Sequence, residues 1–333
     1  MSRDDDPGPL FDAATNGDRA ALARLLSLIE RGGAPAREVG RRSATVAGQA
    51  YSVGITGSPG AGKSTLTSAL IGHVRSAGNE VAVLAIDPSS PFTGGAILGD
   101  RVRMQDHATD PGVFIRSMAS RGHLGGLALA TPEAIRLLDA VGHRLVLIET
   151  VGVGQVEVEV AGHADTTVVV VNPGWGDSVQ ANKAGLMEVA DVFVVNKADR
   201  GGVAETRRDL DQMLALARTG DAGQWRPPVV TTVGTTGDGI AELWDAIGAH
   251  RADASARGLL ARRRSLRAAA ELADIVARRL EDVARSLCGQ ARWNELVEAV
   301  TANAIDPWTA ADEMIAPVTS VSPAGPAAPR SLA

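Results

Sequence analysis

The chain has 333 residues, of which 45% are apolar, 22% are charged and only 3% are aromatic, and its formal net charge is −6. This composition is ordinary for a globular protein with a sizeable core, and it argues against nucleic acid or an anionic membrane as a partner. The single cysteine, Cys288, excludes an intramolecular disulfide and indicates a reducing compartment. Because we find neither a signal peptide nor an apolar run of about 20 residues, we expect a cytoplasmic protein without a membrane span.

The N-terminal region is predicted to be helical. Residues 1–9 are expected to be frayed. Apolar residues then recur at helical spacing from Leu10 to Arg31, which predicts one or two helices that end near Gly32, Gly33 and Pro35.

Short apolar runs alternate with helical stretches through the middle of the chain. Strands that are apolar throughout are typical of a parallel sheet buried on both faces, so the alternation predicts an α/β fold with a mainly parallel sheet flanked by helices. The predicted strands are Tyr51–Thr56, Val81–Ile86, Val113–Ile115, Leu145–Thr150, Thr167–Asn172, Val192–Asn196 and Val229–Val233. The predicted helices between them are Ser64–Ser76, Thr131–Val141, Val179–Ala190, Val203–Ala217 and Gly239–Ala249.

The last part of the chain is predicted to be helical again. Leu259–Leu287 carries an apolar stripe typical of a long amphipathic helix, which could pack on the sheet domain or on a second subunit. Its Arg262–Arg264 run is interpreted as a solvated helix face. More helix is predicted over Arg292–Ala302 and Thr309–Ile315. The predicted parts of the chain are an N-terminal helical segment (1–45), a sheet domain (46–252), a C-terminal helical arm (253–316) and a disordered tail (317–333).

A glycine-rich motif follows the first predicted strand. Residues 57–64 read Gly-Ser-Pro-Gly-Ala-Gly-Lys-Ser and match the P-loop pattern G-x4-G-K-[ST], with a strand before them and a helix after them. In such a loop backbone N–H groups surround the phosphates, Lys63 reaches the β- and γ-phosphates, and the Ser64 hydroxyl holds Mg²⁺. The residues predicted to bind the nucleotide here are Gly57, Ser58, Pro59, Gly60, Ala61, Gly62, Lys63, Ser64 and Thr65.

An acidic residue ends a later apolar strand. Glu149 follows the run Leu145–Ile148 and precedes Thr-Val-Gly152. An acidic side chain at this place can hold the metal through water, and the glycine can offer its N–H to the γ-phosphate. We therefore predict that Glu149 is a metal-binding carboxylate and that Gly152 senses the γ-phosphate.

The motif Asn196-Lys-Ala-Asp199 predicts which base is bound. In an N-K-x-D motif the Asp carboxylate accepts hydrogen bonds from guanine N1–H and the 2-amino group, while the lysine stem covers one face of the base. Adenine lacks both donors, so Asn196, Lys197 and Asp199 predict GTP and GDP and disfavour ATP. The contact to guanine O6 is predicted from a later loop, at Val233, Gly234 and Thr235, although the usual Ser-Ala pair is absent there.

These motifs and the sequence between them resemble the MeaB/ArgK family of P-loop GTPases, whose human member is the methylmalonic aciduria type A protein. The resemblance covers roughly residues 10–315, and its most specific segments are Ala85–Ser90, Gly94–Asp100, Glu149–Gln155 and Asn196–Asp199. It implies a homodimeric GTPase that gates the delivery of adenosylcobalamin to methylmalonyl-CoA mutase and protects that enzyme.

The resemblance also implies roles for single residues. The catalytic set would be Lys63, Asp87, Asp100, Glu149 and Gly152. The metal would be held by Ser64, Asp87, Asp100 and Glu149. Residues 152–157 would form a second switch, residues 173–183 would form a third switch that contacts the mutase, and the C-terminal helices would form a dimerisation arm.

Hydrolysis is expected to be slow without a partner. Val153 stands where many GTPases carry the Gln that positions the attacking water, and no arginine finger is evident. Three other functions stay open: a nickel metallochaperone GTPase, an ATP-dependent kinase or transport ATPase, and a regulatory module that binds GTP with little turnover. The six histidines lack the H-x-H or H-x3-H spacing of a metal site, and the N-K-x-D motif argues against an ATPase.

Overall fold

In the computed structural model three helices precede the sheet, namely α1 (Pro7–Thr15), α2 (Arg19–Arg31) and α3 (Gly33–Ala44). Aspartates begin the first two, because the carboxylates of Asp6 and Asp18 accept hydrogen bonds from N–H groups of the first turn. Helix α1 therefore begins within the stretch that the sequence analysis expects to be frayed.

Helix α3 departs from the sequence prediction, which ends this helical region near Gly32 and Pro35. Gly32 turns the chain with a φ of 73°, and Pro35 lies in the first turn of α3. Proline is tolerated there because the N–H groups of the first turn have no partner within the helix.

The structure describes residues 6–87, 104–119, 124–150, 162–175, 187–216 and 225–320. The chain divides into two units, Met1–Ala268 and Ala269–Ala333. Among the described residues, no helix combines the length and the apolar character needed to cross a membrane.

The described strands form one parallel sheet in the order β3-β2-β4-β1-β5-β6-β7. They are β1 (Tyr51–Gly57), β2 (Val81–Asp87), β3 (Val113–Ala119), β4 (Leu145–Thr150), β5 (Thr166–Val171), β6 (Val192–Asn196) and β7 (Val229–Thr232). Each predicted strand is present. Strand β3 runs past its predicted end at Ile115. Arg116 interrupts the apolar run, but the strand accommodates it because its guanidinium group forms an ion pair with Glu30 of α2.

Helices cover both faces of the sheet. They are α4 (Lys63–Ser76), α5 (Leu124–Ala140), α6 (Val203–Leu216) and α7 (Ile240–Ala256), with a short 3-10 turn at Gln105–His107. Helices α1–α3 and α5 pack on one face around Phe11, Leu25, Val39, Leu84 and Leu137. Helices α4 and α7 pack on the other face around Ile55, Leu66, Leu70, Leu147, Leu243 and Ile247. Helix α5 begins before the predicted Thr131 and contains Pro132, which the sequence analysis places in the first turn of the helix.

Helix α8 (Leu259–Thr301) is interrupted at Gly289, whose φ of 77° and ψ of 161° are not helical. Its last turns and α9 (Pro307–Ser320) form a small apolar cluster in the second unit. The members of that cluster are Ala284, Leu296, Ala310 and Met314. Helix α9 continues past Pro317, where the predicted tail begins, and residues 321–333 lie outside the described part. The predicted domain boundaries stay predictions.

The amino ends of β5 and β6 lie beside two buried carboxylates that are paired with arginines of the first turns of α8. Asp165 binds Arg264 and Arg267, both at 2.5 Å, and Asp191 binds Arg263 at 2.8 Å. The interpretation of this arginine run as a solvated helix face is therefore wrong for Arg263 and Arg264. Their guanidinium groups hold the start of α8 against the sheet.

Candidate nucleotide-binding site

The P-loop lies at the carboxyl edge of the sheet, between β1 and α4. The Ser58 N–H donates to Val170 O at 3.2 Å, so the loop stays close to β5. Two glycines are required by close approach: a Cβ on Gly57 would lie 2.0 Å from Val170 O, and a Cβ on Gly62 would lie 2.6 Å from Asn196 Nδ2. Both also have a positive φ, 132° and 90°, which glycine adopts without steric cost.

Lys63 is the first residue of α4, and its side chain is buried. Its ammonium group donates to Gly57 O at 2.5 Å and to Ser58 O at 3.3 Å. The ammonium group is therefore held over the loop in which the phosphates are predicted to lie. Because α4 begins here, the N–H groups of its first turn have no carbonyl partner within the helix, and they favour an anion at the same place.

Ser64 and Glu149 come together beside this loop. The Ser64 hydroxyl donates to Glu149 Oε1 at 2.5 Å. Glu149 is fully buried near the end of β4, where it pairs in register with Ile55 of β1. A hydroxyl oxygen and a carboxylate oxygen are hard ligands of the kind that Mg²⁺ takes. Within the described ranges, no three His, Cys, Asp or Glu side chains are grouped as a metal site.

The other predicted switch residues are described only in part. Asp87 ends β2, where its backbone pairs with Ala119 of β3, and its side chain is outside the described part of the molecule. Asp100, Gly152 and the rest of the second switch lie outside the described residues, as do the residues of the third switch after Trp175. Their roles stay predictions.

Asn196 joins the P-loop to the loop after β7. Its amide nitrogen donates to Ala61 O at 2.8 Å, and its amide oxygen accepts from Thr232 Oγ1 and from Gly234 N–H, both at 3.1 Å. Neither this cross-link nor the part that Thr232 plays in it was predicted from the sequence. The available signal is a hydroxyl residue at the end of β7, where it pairs in register with Asn196.

Lys197 and Asp199 lie beside this cross-link. Lys197 has a φ of 60°, and its ammonium group donates to Gly60 O at 2.5 Å, so its stem spans from the end of β6 to the P-loop. A tight turn follows, in which Arg200 N–H donates to Lys197 O at 3.0 Å. Asp199 is exposed at this edge, so a ligand can reach its carboxylate.

The loop after β7 is a closed turn next to α4. Val233 O accepts hydrogen bonds from the N–H groups of Thr236 and Gly237, and Val233 N–H donates to Asp238 O. Thr235 is an exposed residue, and its N–H makes no hydrogen bond within the described ranges. A cleft of about 710 Å³ lies between α4 and this loop, and the residues that line it include Thr65, Ser68, Asp106, Gly234, Thr235 and Ile240.

A parallel sheet, a glycine loop that leads into a helix at its carboxyl edge, and an N-K-x-D motif tied to that loop together define a P-loop GTPase. The family model described as "Methylmalonyl Co-A mutase-associated GTPase MeaB" matches residues 22–288. The chain belongs to this MeaB family, and it is a GTPase that binds guanine nucleotide.

Similarity to known proteins supports the family assignment. A relative from Pyrococcus abyssi is 50% identical over 309 residues, which cover 92% of this chain and 95% of that protein. The "Methylmalonic aciduria type A homolog, mitochondrial" of Mus musculus is 35% identical over 273 residues, which cover 77% of this chain and 65% of that protein. The crystal structure of LAO/AO transport system kinase has a TM-score of 0.68 and 27% identity, and the match covers 94% of this chain and 98% of that one. The predicted family and the predicted α/β P-loop fold are confirmed.

Proposed function

We propose that this GTPase is a chaperone of adenosylcobalamin-dependent methylmalonyl-CoA mutase, in which GTP hydrolysis gates delivery of the cofactor and protects the mutase. The family description names the mutase as the associated enzyme, and the mouse relative is named for methylmalonic aciduria. The proposed binding of guanine nucleotide rests on the Asn196 cross-link, which holds the N-K-x-D motif against the P-loop. Base recognition and phosphate binding are thereby combined in one site.

The guanine base is proposed to lie against the Lys197 stem with Asp199 at its edge. The Asp199 carboxylate then accepts from N1–H and from the 2-amino group, and the N–H of Thr235 donates to O6, with Val233 and Gly234 shaping the same loop. The cleft between α4 and this loop provides room beside the base. Adenine would leave the Asp199 carboxylate without its two donors, which disfavours ATP.

Mg²⁺ is proposed to bind at Ser64 and Glu149, whose side-chain oxygens lie 2.5 Å apart. When it is bound, the ion supplies positive charge that offsets the charge of the β- and γ-phosphates. Lys63 adds a second positive charge from the P-loop side. The proposed catalytic set is completed by Asp87, Asp100 and Gly152.

The test of this function is steady-state GTP hydrolysis by the purified protein, alone and with adenosylcobalamin-dependent methylmalonyl-CoA mutase, with ATP as the control substrate. We expect slow hydrolysis of GTP alone and an increase of at least about tenfold with the mutase. An unchanged GTP rate in the presence of the mutase would reject the chaperone proposal and leave the GTPase intact. Preference for ATP would reject the proposed base contacts as well and would favour the kinase alternative.

The base contacts are tested by Asp199→Asn, because an amide replaces one acceptor by a donor that matches the 2-oxygen of xanthine. We expect GTP affinity to fall by at least about tenfold and XTP affinity to rise, which isothermal titration with both nucleotides measures. Asp245→Asn, at an exposed position of α7, is the matched control and should leave both affinities unchanged. Unchanged GTP affinity of Asp199→Asn would remove Asp199 from the site.

The homodimer is proposed to form through the second unit. In this unit α8 leaves a row of apolar side chains exposed, namely Leu272, Val276, Leu280, Val283 and Leu287. A second copy of the chain would cover this row, since exposed apolar patches mark interaction sites. Light scattering should show a dimer that Leu280→Glu weakens. Leu216→Glu, at an exposed leucine of α6 in the first unit, should leave the dimer intact, and a wild-type monomer would reject the proposal.

A further inference from the structure

A tight turn follows β5 and begins the predicted third switch. The Trp175 N–H donates to Asn172 O at 3.2 Å, which closes a four-residue turn. Pro173 occupies the second position, and Gly174, with a φ of 85°, occupies the third. Proline followed by a residue of positive φ is the type II arrangement, so the local sequence itself determines the geometry of this turn.

Helix α6 holds this turn in place. The Gly174 N–H donates to Thr206 Oγ1 at 3.1 Å, and Thr206 is only 2% exposed. The Trp175 side chain is buried in the apolar cluster under α6, and its partners there include Val171, Phe193, Leu210 and Leu214. Gly202, just before α6, lies beside the turn, and a Cβ added to it would be in van der Waals contact with Pro173 Cβ at 3.6 Å. The turn is therefore packed and hydrogen-bonded to the first turns of α6.

The same helix follows directly from the N-K-x-D motif. Only Arg200–Gly202 separates Asp199 from α6. The connection is constrained, because Ala198 N–H donates to Thr232 O and Thr206 N–H donates to Gly202 O, both at 3.0 Å. A shift of Asp199 is thus passed to the first turn of α6 over a short and hydrogen-bonded path.

We infer that Thr206 is a positioning residue that couples occupancy of the guanine site to the turn Asn172–Trp175. This inference rests on the proposed guanine contacts of Asp199. A guanine nucleotide that binds Asp199 moves the start of α6, and the buried Thr206 hydroxyl carries that movement to the turn because it accepts the Gly174 N–H at 3.1 Å. Coupling between two sites is reciprocal, so a ligand that binds to this turn changes nucleotide affinity by the same factor.

Trp175 itself reports on the coupling. We expect the tryptophan emission of the full chain to change when GDP is added, and we expect Trp175→Phe to abolish that change although four tryptophans remain. Thr206→Val, which replaces the hydroxyl by a methyl group, should reduce the change by at least about half and weaken GDP affinity by about fivefold. Thr206→Ser keeps the hydroxyl and should restore both values. Isothermal titration with GDP, run in parallel, shows whether the nucleotide binds.

Thr131→Val is the matched control. Thr131 on α5 is also fully buried, and its hydroxyl has no hydrogen-bond partner among the described residues, so its loss should change neither emission nor GDP affinity. If Thr206→Val does not fold, Thr206→Ala removes the same hydroxyl without the added methyl group. The inference is overturned if GDP binds without an emission change, if the change survives in Trp175→Phe, or if Thr206→Val behaves like the wild type. Absence of GDP binding to the wild-type chain would instead overturn the proposed site and this inference with it.

Discussion

At the amino edge of the sheet Asp165 and Asp191 are matched by arginines of the chain itself, whereas at the carboxyl edge Lys63 is held over a loop that has the geometry to bind phosphate. Both edges carry charge in buried surroundings, where charge must be compensated. The amino edge is compensated by guanidinium groups of α8. The carboxyl edge offers an ammonium group and helix N–H groups that have no partner within the helix, and their natural complement is an anionic ligand.

The pKa values at the amino edge show how complete the internal compensation is. Burial alone raises the pKa of Asp165, but hydrogen bonds and charges from Arg264 and Arg267 outweigh it, and the pKa lies below its usual value. Burial likewise raises the pKa of Asp191, but His250 and Arg263 bring it below its usual value. The cluster at the amino edge therefore stabilises the fold, while the cluster at the carboxyl edge is arranged for function. Variants at each edge should therefore separate activity from stability.

Lys63→Ala tests the carboxyl edge and should have the largest effect. Loss of the ammonium group removes positive charge from the phosphate loop, so we expect the rate of GTP hydrolysis to fall by at least about a thousandfold. Phosphate release under single-turnover conditions measures the rate. The urea midpoint should stay near that of the wild type, and Arg207→Ala, an exposed cation of α6, should hydrolyse GTP normally. Turnover close to wild type in Lys63→Ala would contradict the P-loop assignment.

Asp191→Ala tests the amino edge and should show the opposite pattern. It leaves Arg263 and His250 without their carboxylate and Thr167 N–H without its acceptor, so the free energy of unfolding should fall by about 3 kcal/mol. Urea unfolding measures the loss, and the KM for GTP should stay unchanged. Asp245→Ala, at an exposed position, is the control and should change neither. A stable Asp191→Ala variant with impaired GTP binding would contradict the stabilising role of the Asp191 cluster.

Acidification should weaken the amino edge selectively. Because the pKa values of Asp165 and Asp191 are lower in the folded state, their stabilising contribution is complete above the unfolded-state pKa of about 3.9 and is lost as the pH falls through the folded-state values. Thermal unfolding between about pH 6 and about pH 3 should show this decline. Asp165→Asn should flatten the decline, since the amide does not titrate. An equally steep decline in this variant would assign the acid sensitivity to other groups.

Gly234→Ala should have the smallest effect, and it tests whether the loop after β7 contacts the base. The added methyl group would lie 3.3 Å from Leu66 N, so the loop after β7 must shift by a few tenths of an ångström away from α4. We expect GTP affinity to weaken about threefold, less than 1 kcal/mol, as measured by isothermal titration. Gly248→Ala, in the middle of α7 with open space around it, should instead stabilise the chain by about 0.5–1 kcal/mol without changing affinity. Equal affinity of both variants would place the base away from this loop.

The features most predictable from the sequence are those that one short stretch of chain encodes. Each described strand was predictable because a strand buried on both faces is apolar at successive positions, and the P-loop was predictable because its residues are contiguous. Errors arose where local signals conflict with packing. Pro35 was predicted to lie near a helix end, but it lies in the first turn of α3. Pro132 was predicted to lie at a helix start, but it lies in the interior of α5.

The class of this protein was predictable from short stretches of chain, since β1, the P-loop and Asn196–Asp199 carry their chemistry in consecutive residues. The hydrogen bond from Asn196 to Ala61 O and the ion pair of Arg263 with Asp191 depend instead on how the chain folds. The partners in each pair lie far apart in the chain, and many other pairings of the same residue types are chemically equivalent. Packing of the whole sheet with its helices selects one pairing. A buried polar group must form a hydrogen bond or an ion pair, and the fold determines which partner is within reach.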